Sequence, residues 1–334
     1  MKNLAIIGAG GWGTALAIRL AANAECVRLW VFEPDLCESM QRTRSNEVYL
    51  PRFTIPENVI PTNDLGCAVY GADIILTVVP SQHVRNLYGR ILNLVDPQHA
   101  PVFVSATKGL ETETLLRMSQ VIEEVLGAQF APRLAVLSGP TFAREVAAGA
   151  PTAVVIASCN EALARDIQQA FSNSFFRLYT NTDPAGVELG GALKNVIAIA
   201  AGTCDGLGLG SNAIAALITR GLSEITRLAC ACGARRETLS GLAGLGDLVL
   251  TCTGTLSRNR TVGTELGKGR RLEDILASMR MVAEGINTTA ATVKLARLKN
   301  VEMPITEQMY ALLYHGRSPR DAVRELMGRA LKPE

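Results

Sequence analysis

The chain has 334 residues, 48% hydrophobic and 19% charged, with a formal net charge of +2. That length suits about two domains, each able to bury its own core, and the balance excludes an intrinsically disordered chain. Lysine and arginine form no basic run or stripe, which argues against a nucleic-acid binder. No run of about 18 apolar residues offers a membrane span.

From the N-terminus, a short apolar run meets Gly8. It is too short for the hydrophobic region of a signal peptide and reads as a first strand. Further strands are expected over 27–32, 74–79, 102–106, 134–137, 153–157 and 176–179. Several are apolar at consecutive positions, the pattern of strands covered on both faces by helices. Helical segments such as 14–22 and 115–126 fall between them. After about residue 180 the strand signal stops, and Asp183-Pro184 opens a series of helices over 184–203, 212–232, 284–299, 304–315 and 319–331. Gly233 is a C-terminal stop and Ser318-Pro319-Arg320-Asp321 a start signal. The expected architecture is α/β: a Rossmann-like, doubly wound, mostly parallel sheet over 1–180, binding a dinucleotide, followed by an all-helical domain over 181–334, binding substrate.

The eight cysteines contain no C-x-x-C, and none of the three histidines lies close to a cysteine pair, so no metal site is expected. Most of the cysteines sit in apolar surroundings, as free buried thiols do, which favours a reducing, cytoplasmic compartment.

Gly8-Ala9-Gly10-Gly11-Trp12-Gly13 follows the first strand and opens a helix. Gly8 permits the tight turn, Gly10 a close approach to a pyrophosphate, and Gly13 helix packing on the sheet. The helix N-terminus offers N–H groups and a positive dipole to the phosphates. At the end of the second strand an acidic residue usually holds the ribose of NAD. Here the sequence runs Val31-Phe32-Glu33, with Arg42 and Arg44 in reach of a 2′-phosphate, and NAD and NADP both remain open.

Lys194 sits on a helical face with Val187, Gly190, Gly191, Ile197, Ala198 and Ala201. A lysine there is either desolvated, needing a partner or a lowered pKa, or it snorkels to the surface. Gly190-Gly191 leaves space for a ligand or a second backbone. Asp247 lies in a glycine-rich apolar stretch, and Arg258-Asn259-Arg260 offers donors that suit a phosphate.

These segments, with Val78-Val79-Pro80-Ser81, Ser105-Ala106-Thr107-Lys108-Gly109-Leu110, Leu137-Ser138-Gly139-Pro140-Thr141-Phe142-Ala143, Glu188–Val196 and Val282-Ala283-Glu284-Gly285, resemble the bacterial-type NAD(P)-dependent glycerol-3-phosphate dehydrogenases in order and spacing. The resemblance covers essentially the whole chain. It implies interconversion of sn-glycerol 3-phosphate and dihydroxyacetone phosphate with NAD or NADP, supplying glycerol 3-phosphate for phospholipids, and a homodimer.

The resemblance also implies roles for residues. Lys194 would exchange the proton at the substrate's C2 oxygen, with Asp247 and Asn195 orienting it and Thr251 nearby. Lys108 would lie beside both cofactor and substrate, Gly139 and Thr141 would line the substrate pocket, and Ala143 the cofactor. Ser257, Arg258 and Asn259 would hold the substrate phosphate, Arg258 also touching the cofactor. Glu284 and Val282 would contact the nicotinamide end, and Gly11 and Trp12 the pyrophosphate. Phe32 occupies a cofactor position at which NADP-preferring members often carry Arg or His. Two alternatives stand beside this reading: a hydroxy-acid dehydrogenase of the same architecture, and a dinucleotide sensor without turnover. The first typically has an asparagine four residues after the lysine, where this chain has Ala198. The second has no need of Lys194, Asp247 and Arg258 together.

Overall fold

The computed structural model describes residues 1–99, 101–279 and 283–331. Backbone proximity divides the chain into two units, Met1–Glu111 with Leu116–Glu188, and Thr112–Leu115 with Leu189–Glu334.

The strands of the first unit are β1 (Asn3–Ile7), β2 (Cys26–Trp30), β3 (Ser45–Asn46), β4 (Leu50–Thr54), β5 (Val59–Thr62), β6 (Ile74–Thr77), β7 (Val102–Ser105), β8 (Arg133–Ser138), β9 (Thr152–Ala157) and β10 (Phe176–Asn181). Eight of them form one sheet in the order β10-β9-β8-β7-β6-β1-β2-β5, while β3 and β4 pair apart as a small hairpin. All neighbours in the large sheet run parallel except β8 and β9. Alternation along β1 shows why its sequence is apolar throughout. Leu4 and Ile6 enter one core, Ala5 and Ile7 the opposite one. The helices are α1 (Gly11–Leu20), α2 (Pro34–Thr43), α3 (Leu65–Val69), α4 (Val84–Leu92), α5 (Met118–Leu126), α6 (Ala143–Ala148) and α7 (Glu161–Phe171). This is the expected doubly wound, mostly parallel Rossmann-type sheet.

All seven strands expected from apolar runs are present. Three are shorter than their runs, because Val31-Phe32, Val78-Val79 and Ala106 fall outside the strands. Strand β5 carries Pro61, which lacks an N–H and fits only an edge; β5 pairs with β2 alone.

The helices continue with α8 (Pro184–Gly206), α9 (Gly210–Ala231), α10 (Arg236–Leu239), α11 (Asp247–Thr253), α12 (Arg258–Gly267), α13 (Leu272–Ala277), α14 (Gly285–Leu298), α15 (Pro304–Tyr314) and α16 (Pro319–Met327). A π-helical turn, Leu242–Gly246, leads into α11. The caps match the sequence signals. Asp183 Oδ1 accepts from Gly186 N at 2.9 Å, Ser318 Oγ from Asp321 N at 3.1 Å, and Gly233 after α9 takes φ +91°.

By length and composition α8 could cross a membrane, as could Arg236–Thr253 and Arg258–Gly267 taken together, but 94% of the α8 window is buried within the protein. All eight cysteines are free. Only Cys37 and Cys252 are fully buried, and Cys67 and Cys159 are exposed, so most thiols are less enclosed than their apolar neighbours in sequence suggest.

Candidate active site

Two groups of expected site residues form, one in each unit. In the first, the glycine loop turns from β1 into α1. Gly8 has φ +117°, and a Cβ there would lie 2.5 Å from the carbonyl oxygen of Val78. A Cβ on Gly13 would overlap the Gly8 carbonyl, and one on Gly11 would stand 2.9 Å from the carbonyl of Tyr49 and 3.8 Å from the methyl of Ala143. At Gly10, by contrast, nothing lies within 4 Å of that position, so the first turn of α1 is open on that side. No side chain caps this N-terminus and no acidic residue stands in its first turn. Trp12 adds a buried indole N–H that has no partner among the described residues. Open N–H groups at a positive helix end, beside an orphaned donor, suit an anion such as a dinucleotide pyrophosphate.

The other motifs of this unit follow the carboxyl ends of β6, β7 and β8, where ligands bind in open α/β sheets. Thr107 Oγ1 donates to the Val79 carbonyl at 2.9 Å, joining the first two loops. Lys108 Nζ donates to the Gly139 carbonyl at 3.2 Å, and Thr141 Oγ1 to the same oxygen at 3.2 Å. Lys108, Gly139 and Thr141 are thereby brought together.

Beyond β2, Phe32 is 70% exposed and meets Trp30 edge-on, with ring centroids 5.9 Å apart. Glu33 accepts a 2.7 Å hydrogen bond from the Tyr49 hydroxyl. Arg44, expected near a 2′-phosphate, is used otherwise. With φ +52° it ends α2, and its guanidinium donates to the carbonyls of Ile55 (3.3 Å), Val59 (2.8 Å) and Pro56. Sequence reasoning passed over Tyr49 and the β3–β4 hairpin that carries it. The hairpin holds itself to the glycine loop through Asn46, which is fully buried and donates to the Ala9 carbonyl and to Thr14 Oγ1, both at 2.8 Å. One asparagine in a polar stretch gives no sequence signal of such burial.

The second unit centres on Lys194. It is 5% exposed on α8, so it does not snorkel. Its ammonium donates to Asp247 Oδ1 and, at 2.7 Å, to Thr251 Oγ1. The Thr251 hydroxyl has one proton, which goes to the Asp247 main-chain carbonyl at 2.6 Å, so toward Lys194 it is an acceptor. Asp247 is completely buried and supplies the counter-charge that a buried ammonium needs. Cys252, next in the chain, is pushed up to about 12 by burial and stays a neutral thiol.

Glycines allow this arrangement. A Cβ on Gly190 would lie 2.6 Å from the carbonyl of Ala243, so the space left there takes a second backbone, the turn leading to Asp247. Further along, Gly202 and Gly206 of α8 face Gly263 and Gly267 of α12. A methyl on any of the four would overlap or press on backbone of the other helix. This contact fixes the start of α12 relative to α8.

At that start, Ser257 Oγ caps α12 by accepting from Arg260 N at 3.2 Å, and Arg258 is its exposed first residue. Asn259 Oδ1 accepts from Gly285 N at 3.0 Å. A Cβ on Gly285 would stand 2.9 Å from the main-chain oxygen of Asn195, so the α14 start, with Glu284 at its cap, packs beside Asn195 and Asn259. Val282 lies outside the described residues. A buried lysine, with an arginine, an amide and a helix N-terminus in the same unit, offers groups that can move a proton and hold an anion.

A Rossmann-type sheet with an open glycine loop, followed by a helical region with a buried lysine–aspartate pair, defines a dinucleotide-dependent oxidoreductase class. Comparison narrows it. The model of the NAD-dependent glycerol-3-phosphate dehydrogenase N-terminus matches residues 3–164, and that of the C-terminus residues 183–324. The chain belongs to this family. It is 60% identical to the glycerol-3-phosphate dehydrogenase [NAD(P)+] of Koribacter versatilis, covering 98% of each chain. It is 54% identical to the enzyme of that name from Syntrophotalea carbinolica, covering 99% of each. The crystal structure of glycerol-3-phosphate dehydrogenase from Coxiella burnetii superposes with a TM-score of 0.93 at 44% identity, over 98% of this chain and 99% of that one.

Proposed function

We propose that the protein interconverts sn-glycerol 3-phosphate and dihydroxyacetone phosphate with NAD(H) or NADP(H), and so supplies glycerol 3-phosphate for phospholipid synthesis. The observation that carries the reading is the buried Lys194–Asp247–Thr251 group in a member of this family. The coenzyme, when bound, gives or takes the hydride at the substrate's C2. Lys194 delivers a proton to the C2 oxygen as the ketone is reduced, and takes it back in the reverse direction. Asp247 and Thr251 hold and orient the ammonium. Asn195, the next residue on α8, helps to orient the group.

Arg258, Asn259 and Ser257 hold the substrate phosphate at the start of α12, where N–H groups and the helix dipole add to the side chains. Lys108, Gly139 and Thr141 also bind the substrate. Gly8, Gly10, Gly11, Trp12, Gly13, Phe32, Ala143, Lys108, Arg258, Glu284 and Val282 contact the coenzyme. In this reading residues 1–180 form the dinucleotide domain and 181–334 the substrate domain.

The protein is a cytoplasmic homodimer with no membrane span. The burial of α8 supports the last point, and the exposed Ala215 and Ala216 on α9 support a close-packed partner helix. Lys194→Ala tests the central assignment: turnover should vanish while NADH still quenches protein fluorescence. Normal turnover in that variant would remove Lys194 from the mechanism.

A further inference from the structure

A chain of hydrogen bonds through Tyr49 and Asn46 joins Glu33, after β2, to the glycine loop. Asn46 donates to Ala9 and Thr14, its own Oδ1 accepts from Tyr49 N at 3.0 Å, and the Tyr49 hydroxyl donates to Glu33 Oε1 at 2.7 Å. Hydrogen bonding to Glu33 and burial both push the Tyr49 hydroxyl above its ordinary pKa, so it stays a donor. The Glu33 carboxylate is therefore held at a fixed distance from the cradle suited to a pyrophosphate. It stands at the N-cap of α2 but makes no capping hydrogen bond there. The only hydrogen bond to its side chain among the described residues is the one from Tyr49, made to a single oxygen.

Charge around this carboxylate is not balanced by the arginines that follow. Arg44 is spent on three main-chain carbonyls. Arg42 lies nine residues along from Glu33, about 13 Å down the α2 axis at the helical rise. Phe32, exposed between β2 and Glu33, carries no charge.

We propose that the Tyr49–Glu33 pair selects NADH and rejects NADPH, a refinement that rests on the dehydrogenase reading above. The free carboxylate oxygen accepts from a ribose hydroxyl, as acidic residues after the second strand do in NAD-binding sheets. A 2′-phosphate removes that donor and brings up to two negative charges against Glu33, while the Arg44 guanidinium is already committed to main-chain carbonyls. Phe32 offers its ring to the adenosine end and adds nothing for a phosphate.

The test is direct binding to the full-length protein. Dissociation constants for NADH and NADPH are measured by quenching of protein fluorescence, for the wild type, Glu33→Gln and Tyr49→Phe. NADPH should bind the wild type at least about tenfold more weakly than NADH. Glu33→Gln keeps an acceptor for Tyr49 and removes the charge, so it should tighten NADPH about tenfold and change NADH much less. Tyr49→Phe releases the carboxylate and should weaken NADH by about threefold while narrowing the ratio. Equal or tighter NADPH binding by the wild type, or an unchanged ratio in Glu33→Gln, would overturn the proposal and leave the dehydrogenase reading intact. Binding of neither coenzyme would overturn both.

Discussion

Asn259 accepts a hydrogen bond from the backbone N–H of Gly285 at 3.0 Å. A main-chain N–H can only donate, so the oxygen of the Asn259 amide faces Gly285 and its NH2 group faces the other way. At the first turn of α12, beside Arg258, that NH2 is a donor aimed from a helix end that attracts anions. Asn259→Asp keeps the acceptor for Gly285 and replaces the donor with a negative oxygen. Its KM for dihydroxyacetone phosphate should rise roughly 100-fold, while the dissociation constant for NADH stays within about twofold of wild type. An unchanged KM would remove Asn259 from the phosphate site.

The Lys194–Asp247 pair makes stability and activity separable. Asp247→Asn leaves a buried ammonium without its counter-charge and should cost about 3 kcal/mol or more of unfolding free energy. Lys194→Met combined with Asp247→Leu removes both charges together. That double variant should regain most of the lost stability in urea titration and none of the turnover. If the double variant were no more stable than Asp247→Asn, the single loss would not come from an unpaired charge.

Helices α8 and α12 come close enough at their glycines for backbone to meet backbone. Gly263→Ala would drive its methyl into the Ile199 carbonyl, a rigid neighbour in mid-helix. Overpacking of that kind costs about 1–3 kcal/mol, sometimes more. A urea midpoint like the wild type's would show that the two helices can move apart freely. Where the variant still folds, KM for the phosphorylated substrate should rise before coenzyme affinity changes, because the start of α12 is set by this contact.

Glu224 brings a pH dependence unrelated to turnover. It is buried on α9, where its carboxylate accepts from Ile305 N at 2.7 Å and from Thr306 N and Oγ1 at 3.3 Å, capping α15. Burial outweighs these donors and the Arg227 charge, and lifts Glu224 from 4.5 to about 7. A raised folded-state pKa means that the native protein holds a proton which the unfolded chain has lost. The contribution is fully present below about 4.5, declines as pH rises, and is gone above about 7. Its size is at most about 3 kcal/mol. Glu224→Gln should flatten the fall in unfolding free energy between these limits relative to wild type; parallel profiles would mean that Glu224 titrates normally.

The Rossmann-type sheet is legible in the sequence because buried parallel strands such as 4–7 and 102–105 are apolar on consecutive positions and the glycine loop marks the first crossover. The short helices around Asp247 were not. Leu242–Gly246 is a π-helical turn rich in glycine, and a sequence pattern built on 3.6 residues per turn passes over it. Lys194 stood out as a charge on an apolar face, yet its choice between desolvation and the surface needed a partner 53 residues away in sequence. Glu33, Tyr49, Asn46 and Arg44 illustrate the limit. Each is an ordinary polar residue whose meaning lies in its tertiary contacts, and Arg44, by sequence within reach of a 2′-phosphate, spends its donors on three backbone carbonyls.

The most direct measurement mixes the purified protein with dihydroxyacetone phosphate and NADH and follows absorbance at the reduced-nicotinamide band. Steady loss of absorbance that depends on the phosphorylated ketone and disappears in Lys194→Ala is the expected result. No loss with either NADH or NADPH, in protein shown to bind the coenzyme, would contradict the dehydrogenase assignment.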